Sequence, residues 1–141
     1  MLLKPILVVE DDPYNAMLME KVLKKIGGFD SIVEEDVDRI LELVSGDVVC
    51  MVILDVSLSR SRYREKNLDG VEIAKLIRSI PEKGSVPILL LTAFAMPDDD
   101  KRLLESSGAD YYVPKPVRDL VNLVEIIKKL INEAGSEVPE P

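Results

Sequence analysis

The sequence contains no histidine, no tryptophan and a single cysteine, Cys50. Without histidine, the chain cannot supply a Ser-His-Asp triad, a histidine metal ligand or a phosphohistidine of its own. A single cysteine excludes an internal disulfide and argues against a zinc–cysteine cluster. Any chemistry of this chain must therefore come from carboxylates, hydroxyls and lysines.

Long hydrophobic runs are also absent, since every apolar run is far shorter than the about 18 residues that a membrane-spanning helix needs. The N-terminus carries Lys4 and a short apolar stretch and then turns acidic at Glu10, unlike a signal peptide. We therefore predict a cytoplasmic protein with no membrane partner.

Positive charge is in short supply, with 18 Lys and Arg residues against 26 Asp and Glu residues and a formal net charge of −8. Nucleic-acid binding requires a basic patch, so we predict no nucleic-acid partner. The length of 141 residues suits one globular domain with a sizeable core.

Short apolar runs alternate with helical patterns along the chain. The predicted strands are Ile6–Val9, Ser31–Val33, Val49–Leu54, Val86–Leu91 and Tyr111–Val113. The intervening segments place apolar residues at steps of three and four, which is typical of helices. In the first helix, the pattern does not decide whether Tyr14, Met17 and Leu18 are exposed or lie in the core. This alternation predicts an α/β fold, a doubly wound parallel sheet with helices on both faces.

Polar side chains follow the predicted strands at the points where they end. They are Glu10, Asp11 and Asp12 after the first strand, Asp55 after the third, Thr92 after the fourth and Lys115 after the fifth. Ligands of open α/β sheets bind beyond the carboxyl ends of the strands. Carboxylates gathered there favour Mg²⁺, and the hydroxyl and ammonium groups suit a phosphate. An aspartate in such a site can attack phosphorus.

Each of these residues also has an ordinary structural interpretation. Glu10, Asp11 and Asp12 can cap the following helix, Asp55 can be a turn residue, Thr92 a strand terminus and Lys115 a solvated charge. Their joint occurrence at successive strand ends favours the phosphate site.

An ordered set of motifs then resembles the receiver domain of two-component response regulators. The motifs are Ile6–Pro13 (Ile-Leu-Val-Val-Glu-Asp-Asp-Pro), Val52–Asp55, Asp69–Gly70, Leu91–Ala93 and Lys115–Pro116. The resemblance implies a flavodoxin-like, three-layer α/β/α domain with five parallel strands in the order 2-1-3-4-5. It also implies a receiver domain over residues 1–134, with 135–141 as a flexible tail, and a Lys115–Pro116 bond that is often cis in the family.

The resemblance implies roles for individual residues. Asp55 is the expected phosphoacceptor and Lys115 its phosphate-pairing lysine, while Thr92 and Tyr112 are the expected switch residues. The expected Mg²⁺ ligands are Glu10, Asp11, Asp55 and the backbone carbonyl of Ser57.

The resemblance also implies partners. The expected phosphodonor is a histidine kinase or a histidine phosphotransfer protein, and the output is binding to an unidentified protein target. We expect a stand-alone regulator, monomeric or dimeric on phosphorylation, whose own catalysis is limited to phosphotransfer and dephosphorylation. Two alternatives stay open: a Mg²⁺-dependent phosphohydrolase with an aspartyl nucleophile, and a receiver-like interaction module that is not phosphorylated.

One segment departs from the family pattern. Asp69 follows Asp55 by 14 positions, about twice the usual spacing, and the added residues near Ser59–Asn67 include four basic side chains. This segment is interpreted either as a solvated loop that tolerated insertion or as a docking element or gate near the site.

Overall fold

The structure, a computed structural model, describes residues 3–56, 69–92 and 104–135, together with the backbone of two short pairs, Arg62–Tyr63 and Lys66–Asn67. The predictions for Ser57, for the side chains of Ser59–Asn67 and for residues 136–141 lie outside the described residues.

Five parallel strands form the central sheet. They are β1 (Ile6–Val9), β2 (Ser31–Glu34), β3 (Met51–Asp55), β6 (Ile88–Thr92) and β7 (Tyr111–Pro114). Their order is β2-β1-β3-β6-β7, which is the predicted order 2-1-3-4-5. Two-residue strands β4 (Arg62–Tyr63) and β5 (Lys66–Asn67) pair antiparallel as a separate hairpin within the added segment. Pro114, which lacks a backbone donor, ends a strand at the sheet edge, where proline is tolerated.

Helices connect the strands. They are α1 (Pro13–Val22), continued by a π-helical segment (Leu23–Gly27), then α2 (Val37–Ser45), α3 (Gly70–Arg78), the helical residues 104–107 (α4) and α5 (Leu120–Glu133). Gly28 and Gly108 end two of these helices in the left-handed conformation, at φ 72° and 75°. Within the described ranges, no helix is both long and apolar enough to cross a bilayer.

The sheet separates two apolar cores. Because successive side chains of a strand point to opposite faces, Leu7 and Val9 pack with α2 and α3, whereas Ile6 and Val8 pack with α5 and the π-helical segment. Strands β1 and β3 are buried along their whole length. Burial on both faces explains why their sequences are continuous apolar runs rather than alternating ones.

The structure shows which apolar residues of helix α1 are exposed and which are buried. Tyr14, Met17 and Leu18 are exposed, whereas Ala16 and Leu23 are buried against the sheet. The buried face follows Ala16, Leu23 and Gly27, which recur at helical spacing, so Tyr14, Met17 and Leu18 lie on a different face. The exposed apolar side chains of α1 therefore form a surface rather than part of the core.

Arg78, at the end of α3, contacts the two segments that precede strands β6 and β7. Its guanidinium donates to the carbonyls of Gly84 (2.6 Å), Val86 (2.5 Å) and Gly108 (2.7 Å) and contacts Asp110 Oδ2 at 2.8 Å. The planar fork of arginine suits several acceptors at once. Arg78 thereby ties the end of α3 to the amino edge of the sheet, a role that no sequence pattern indicated.

Candidate phosphoacceptor site

The strand registers bring the predicted site residues to one edge of the sheet. Strands β1, β3, β6 and β7 pair as consecutive neighbours. Glu10 directly follows β1, Asp55 and Thr92 are the last residues of β3 and β6, and Lys115 directly follows β7. Glu10, Asp55 and Thr92 are 8%, 4% and 1% exposed, and Ser107 is the one other buried polar residue in the described ranges. Buried polar side chains are therefore concentrated at this edge of the sheet.

Lys115 and Asp55 form an ion pair at the centre of the site. Lys115 Nζ lies 2.6 Å from Asp55 Oδ2, and the Asp55 side chain is almost fully buried. The backbone N–H of Lys115 donates to the carbonyl of Thr92 at 2.7 Å, which extends the β6–β7 ladder by one bond. The Lys115–Pro116 bond that follows is cis. Lys115 is thus held over the carboxylate, which rules out the interpretation as a fully solvated charge.

Glu10 carries a strongly perturbed carboxyl group. Burial raises its pKa from 4.5 to about 7, and the charge and side-chain hydrogen bond of Asp55 act in the same direction. The N–H of Asp12 and the charge of Lys115 oppose this rise. Two buried carboxyl groups with one lysine leave an excess of negative charge that a proton or a cation relieves.

Asp12 has the structural role that was one of its two interpretations. Its Oδ1 accepts a hydrogen bond of 3.0 Å from the N–H of Tyr14, so Asp12 caps α1. The preceding residue, Asp11, donates its backbone N–H to Glu10 Oε2 at 3.0 Å, which places it beside the buried carboxylate. Of the three consecutive acidic residues, Glu10 enters the site and Asp12 begins the helix.

The donor set of this edge fits Mg²⁺. In the part of the chain that the structure describes, no three His, Cys, Asp or Glu side chains lie close enough to hold a metal without other ligands. Mg²⁺ does not need such a group, because one or two carboxylates with carbonyl, water and phosphate oxygens complete its shell. The buried carboxylates of Glu10 and Asp55 meet that requirement, because the single lysine beside them does not balance their negative charge.

Asp69 and Gly70 place α3 directly against the end of strand β3. Asp69 Oδ1 caps the helix by accepting from the N–H of Glu72 at 2.9 Å. A Cβ atom on Gly70 would lie 2.5 Å from the carbonyl oxygen of Asp55, so only glycine allows this approach. The Asp-Gly pair was visible in the sequence, but its proximity to Asp55 was not, because that contact joins two separate elements.

An apolar cleft of about 530 Å³ adjoins the site between α1 and the start of α5. Glu10, Asp55 and Lys115 lie on its lining, together with Leu18 and other apolar side chains. These further residues are Met19, Val22, Val117 and Leu120. The sequence-based prediction of the site did not include these residues. The signal that could have pointed to them is that they follow the ends of two strands.

Tyr112 is the second residue of strand β7. It lies on the edge strand β7, in register with Leu90, half-buried against the core formed with α2 and α3. Its ring centroid is 6.4 Å from that of Tyr111, with the two rings stacked. The switch role of Tyr112 stays a prediction.

Known proteins are similar to this chain in sequence and in fold. The sequence model of the response regulator receiver domain matches residues 6–128. A polar-differentiation response regulator, DivK, from Brucella anthropi is 24% identical over 93% of this chain and 98% of its own length. A putative response regulator from Chloroflexus aurantiacus superposes with a TM-score of 0.77 at 26% identity, covering 93% of this chain and 99% of that one. The receiver domain of a sensor histidine kinase from Pseudomonas aeruginosa, described with magnesium in its active-site cleft, gives 0.75 at 26% identity with the same coverage. The chain therefore belongs to the response regulator receiver domain family.

Proposed function

We propose that this receiver accepts a phosphoryl group on Asp55 from the phosphohistidine of a histidine kinase or a histidine phosphotransfer protein. The observation that supports this most directly is the ion pair of Asp55 with Lys115, 2.6 Å apart beside the buried Glu10. The chain has no histidine, so the phosphohistidine belongs to the partner.

The chemistry is a displacement at phosphorus. A carboxylate oxygen of Asp55 forms a bond to phosphorus while the bond from phosphorus to the donor's imidazole nitrogen breaks, and that nitrogen keeps the electron pair and takes up a proton. Lys115 neutralises the phosphoryl oxygens, and the hydroxyl of Thr92 donates a hydrogen bond to one of them. Because the site is buried, these charges act more strongly than they would in water.

Asp11, Asp55 and the carbonyl of Ser57 would hold Mg²⁺ directly and Glu10 would hold it through a water molecule, and the ion would supply further positive charge to the phosphoryl oxygens. Glu10 is suited to this set because its carboxyl group is already buried beside Asp55. The same negative charge that raises its pKa strengthens its attraction for a cation.

The output is a change in protein binding. Phosphorylation adds negative charge next to Thr92, which draws its hydroxyl toward the phosphoryl group, and Tyr112 turns inward behind it. The result is altered binding to a protein target. The chain itself is a monomer or a dimer that forms on phosphorylation. Two statements stay predictions: the receiver domain extends over residues 1–134, and the protein is cytoplasmic.

Incubation with Mg²⁺ and a small phosphodonor, such as phosphoramidate, tests this function. We expect one phosphoryl group per chain by intact mass spectrometry, lost in Asp55→Asn and on addition of EDTA. Asp38→Asn, an exposed aspartate on α2, is the matched control and retains the modification.

Two other outcomes contradict the proposal. Repeated turnover of an organic phosphate without a stable intermediate identifies a phosphohydrolase. A chain that is neither modified nor catalytic, yet remains folded, identifies an interaction module that works without phosphorylation.

A further inference from the structure

Strand β2 is one edge of the central sheet, and β1 is its one neighbour in the described ranges. The N–H of Ile6 donates to the carbonyl of Asp30 at 2.9 Å, and Ile6 is in parallel register with Ser31. In a parallel ladder, successive residues of a strand direct their backbone N–H and C=O groups alternately to one side and to the other. Ile32 therefore bonds to β1, whereas the backbone groups of Ser31 and Val33 point away from the sheet.

These outward backbone groups leave room for a further strand. In the part of the chain that the structure describes, no backbone hydrogen bond joins Ser31 or Val33 to another strand or loop. All four residues of β2 are only half-buried, so the helices do not cover this edge completely. An exposed strand edge pairs with other strands unless its charges prevent the approach. The charges near the two ends of β2 therefore decide which strand can pair here.

The groove at the start of β2 carries a net positive charge. The charged residues that line it are Glu20, Lys21, Lys24, Lys25 and Asp30. Within the described ranges, Lys24 pairs with Asp30 at 2.9 Å, whereas Lys21 and Lys25 form no ion pair. The groove therefore presents two lysines that can receive a carboxylate.

The end of β2 is acidic. Glu34 is the last residue of the strand, and Glu35 and Asp36 follow it. Burial raises the pKa of Glu34, and the charges of Asp36 and Glu35 act in the same direction, so these carboxylates repel one another. A strand with a basic start and an acidic end is complementary to a copy of itself that runs in the opposite direction.

We propose that β2 pairs antiparallel with β2 of a second copy of this chain, so that the two five-stranded sheets become one continuous sheet. Ser31 of each copy lies opposite Val33 of the other, and the two Ile32 residues face each other at the two-fold axis. Each Ser31–Val33 pair exchanges two backbone hydrogen bonds, as residues opposite each other in an antiparallel ladder do. The outward groups of both strands are then paired.

The same register brings opposite charges together. Phe29 lines the basic groove and lies opposite Glu35 of the second copy, so the carboxylate of Glu35 approaches Lys21 and Lys25. The two-fold symmetry repeats this contact at the other end of the paired strands. Two sets of lysine–glutamate contacts therefore select the antiparallel arrangement.

One pair of like charges works against the contact. Glu34 lies opposite Asp30 of the second copy, an unfavourable arrangement that Lys24, 2.9 Å from Asp30, reduces. We therefore expect a weak dimer whose affinity falls as the salt concentration rises. The dimer does not require phosphorylation and leaves Asp55 open, and at high concentration it replaces the expected monomer of the unphosphorylated chain.

Light scattering of the unphosphorylated full chain, at concentrations up to about 1 mM, tests the proposal. We expect the measured mass to rise from that of one chain toward that of two. Amide hydrogen exchange then locates the contact. The Val33 amide should exchange more slowly as the dimer forms, whereas the Ile32 amide, which is already bonded to β1, should keep its rate.

Charge reversal tests the pairing of the two ends. Lys25→Glu places a glutamate against Glu35 of the other copy, and Glu35→Lys places a lysine against Lys25. Each variant alone should therefore dimerise at least about tenfold more weakly. An equal mixture of the two variants should regain the dimer, because opposite charges then meet at both ends. Lys75→Glu on α3 and Glu125→Lys on α5, both exposed, are the matched controls and should leave dimerisation unchanged.

Three outcomes overturn the proposal. The mass of a single chain at every concentration shows that the chain does not associate with itself. A dimer that persists in both charge-reversal variants shows that another surface forms the contact. Equal slowing of exchange at Val33 and Ile32 shows a general stabilisation of the fold rather than pairing at the edge of β2.

Discussion

Lys115 Nζ lies 2.6 Å from Asp55 Oδ2, although 60 positions separate the two residues in the sequence. The contact exists because β3 and β7 both end at the same edge, on either side of β6. It joins the proposed nucleophile to the cation that would neutralise the transferred group. The proposed phosphotransfer therefore depends on a pair that only strand order and register bring together.

Replacing Lys115 with methionine should slow phosphorylation of Asp55. Methionine retains the aliphatic length but removes the charge that stabilises the phosphoryl oxygens, and loss of one such group costs about 10²-fold in rate. Mass spectrometry over a time course with phosphoramidate and Mg²⁺ measures the effect. Lys75→Met, on the exposed face of α3, is the control, and equal rates for the two variants would contradict the assigned role.

Glu10 should make stability fall with rising pH when Mg²⁺ is absent. Its pKa is 4.5 in the unfolded chain and about 7 in the folded protein, so the folded state favours the protonated form. The contribution of Glu10 is therefore fully present below pH 4.5, declines as the pH rises toward about 7, and is absent above that range.

Urea unfolding in EDTA, between pH 5 and pH 8, measures this dependence. Glu10→Gln should remove its part of the decline, because glutamine does not titrate. Glu125→Gln, an exposed residue of α5, serves as the control and should retain the decline. A Glu10→Gln profile parallel to the unaltered chain would refute the prediction.

Gly70→Ala should disturb both folding and phosphorylation. The new methyl group would lie 2.5 Å from the Asp55 carbonyl oxygen, so α3 or the end of β3 must move, at a cost of about 1–3 kcal/mol. Because Asp55 ends that strand, its phosphorylation rate should fall as well. Gly46→Ala, whose Cβ would meet its nearest atom at 3.1 Å, is the milder comparison. Thermal unfolding and the phosphorylation time course should separate the two variants.

Arg78→Met should lower the free energy of unfolding by about 3 kcal/mol, because it leaves three carbonyls and the Asp110 carboxylate without this donor. Arg39→Met is the matched control, since Arg39 makes an exposed pair with Glu42 on one helix and should change stability by less than about 1 kcal/mol. Urea unfolding of both variants distinguishes them, and equal losses would argue against the role of Arg78 in holding α3 to the amino edge of the sheet.

Much of the fold was accessible from the sequence alone. The run Ile6–Val9 predicted a buried strand with the observed bounds, because a strand buried on both faces needs apolar residues at every position. The alternation of strands and helices predicted a parallel sheet. The positions of Asp55 and Thr92 at strand ends were also readable, because strand ends are marked by local changes in polarity.

Tertiary structure decided the features that depend on distances between separate elements. The raised pKa of Glu10 requires burial beside Asp55, and the contact of Gly70 with the Asp55 carbonyl requires the packing of α3. Arg78 reaches Asp110 across 32 positions, which no local pattern encodes. The sequence by itself therefore determined which residues stand at the ends of the strands, since that is a property of local hydrophobic pattern. Only the assembled sheet decided which of them meet, because contact depends on strand order and register.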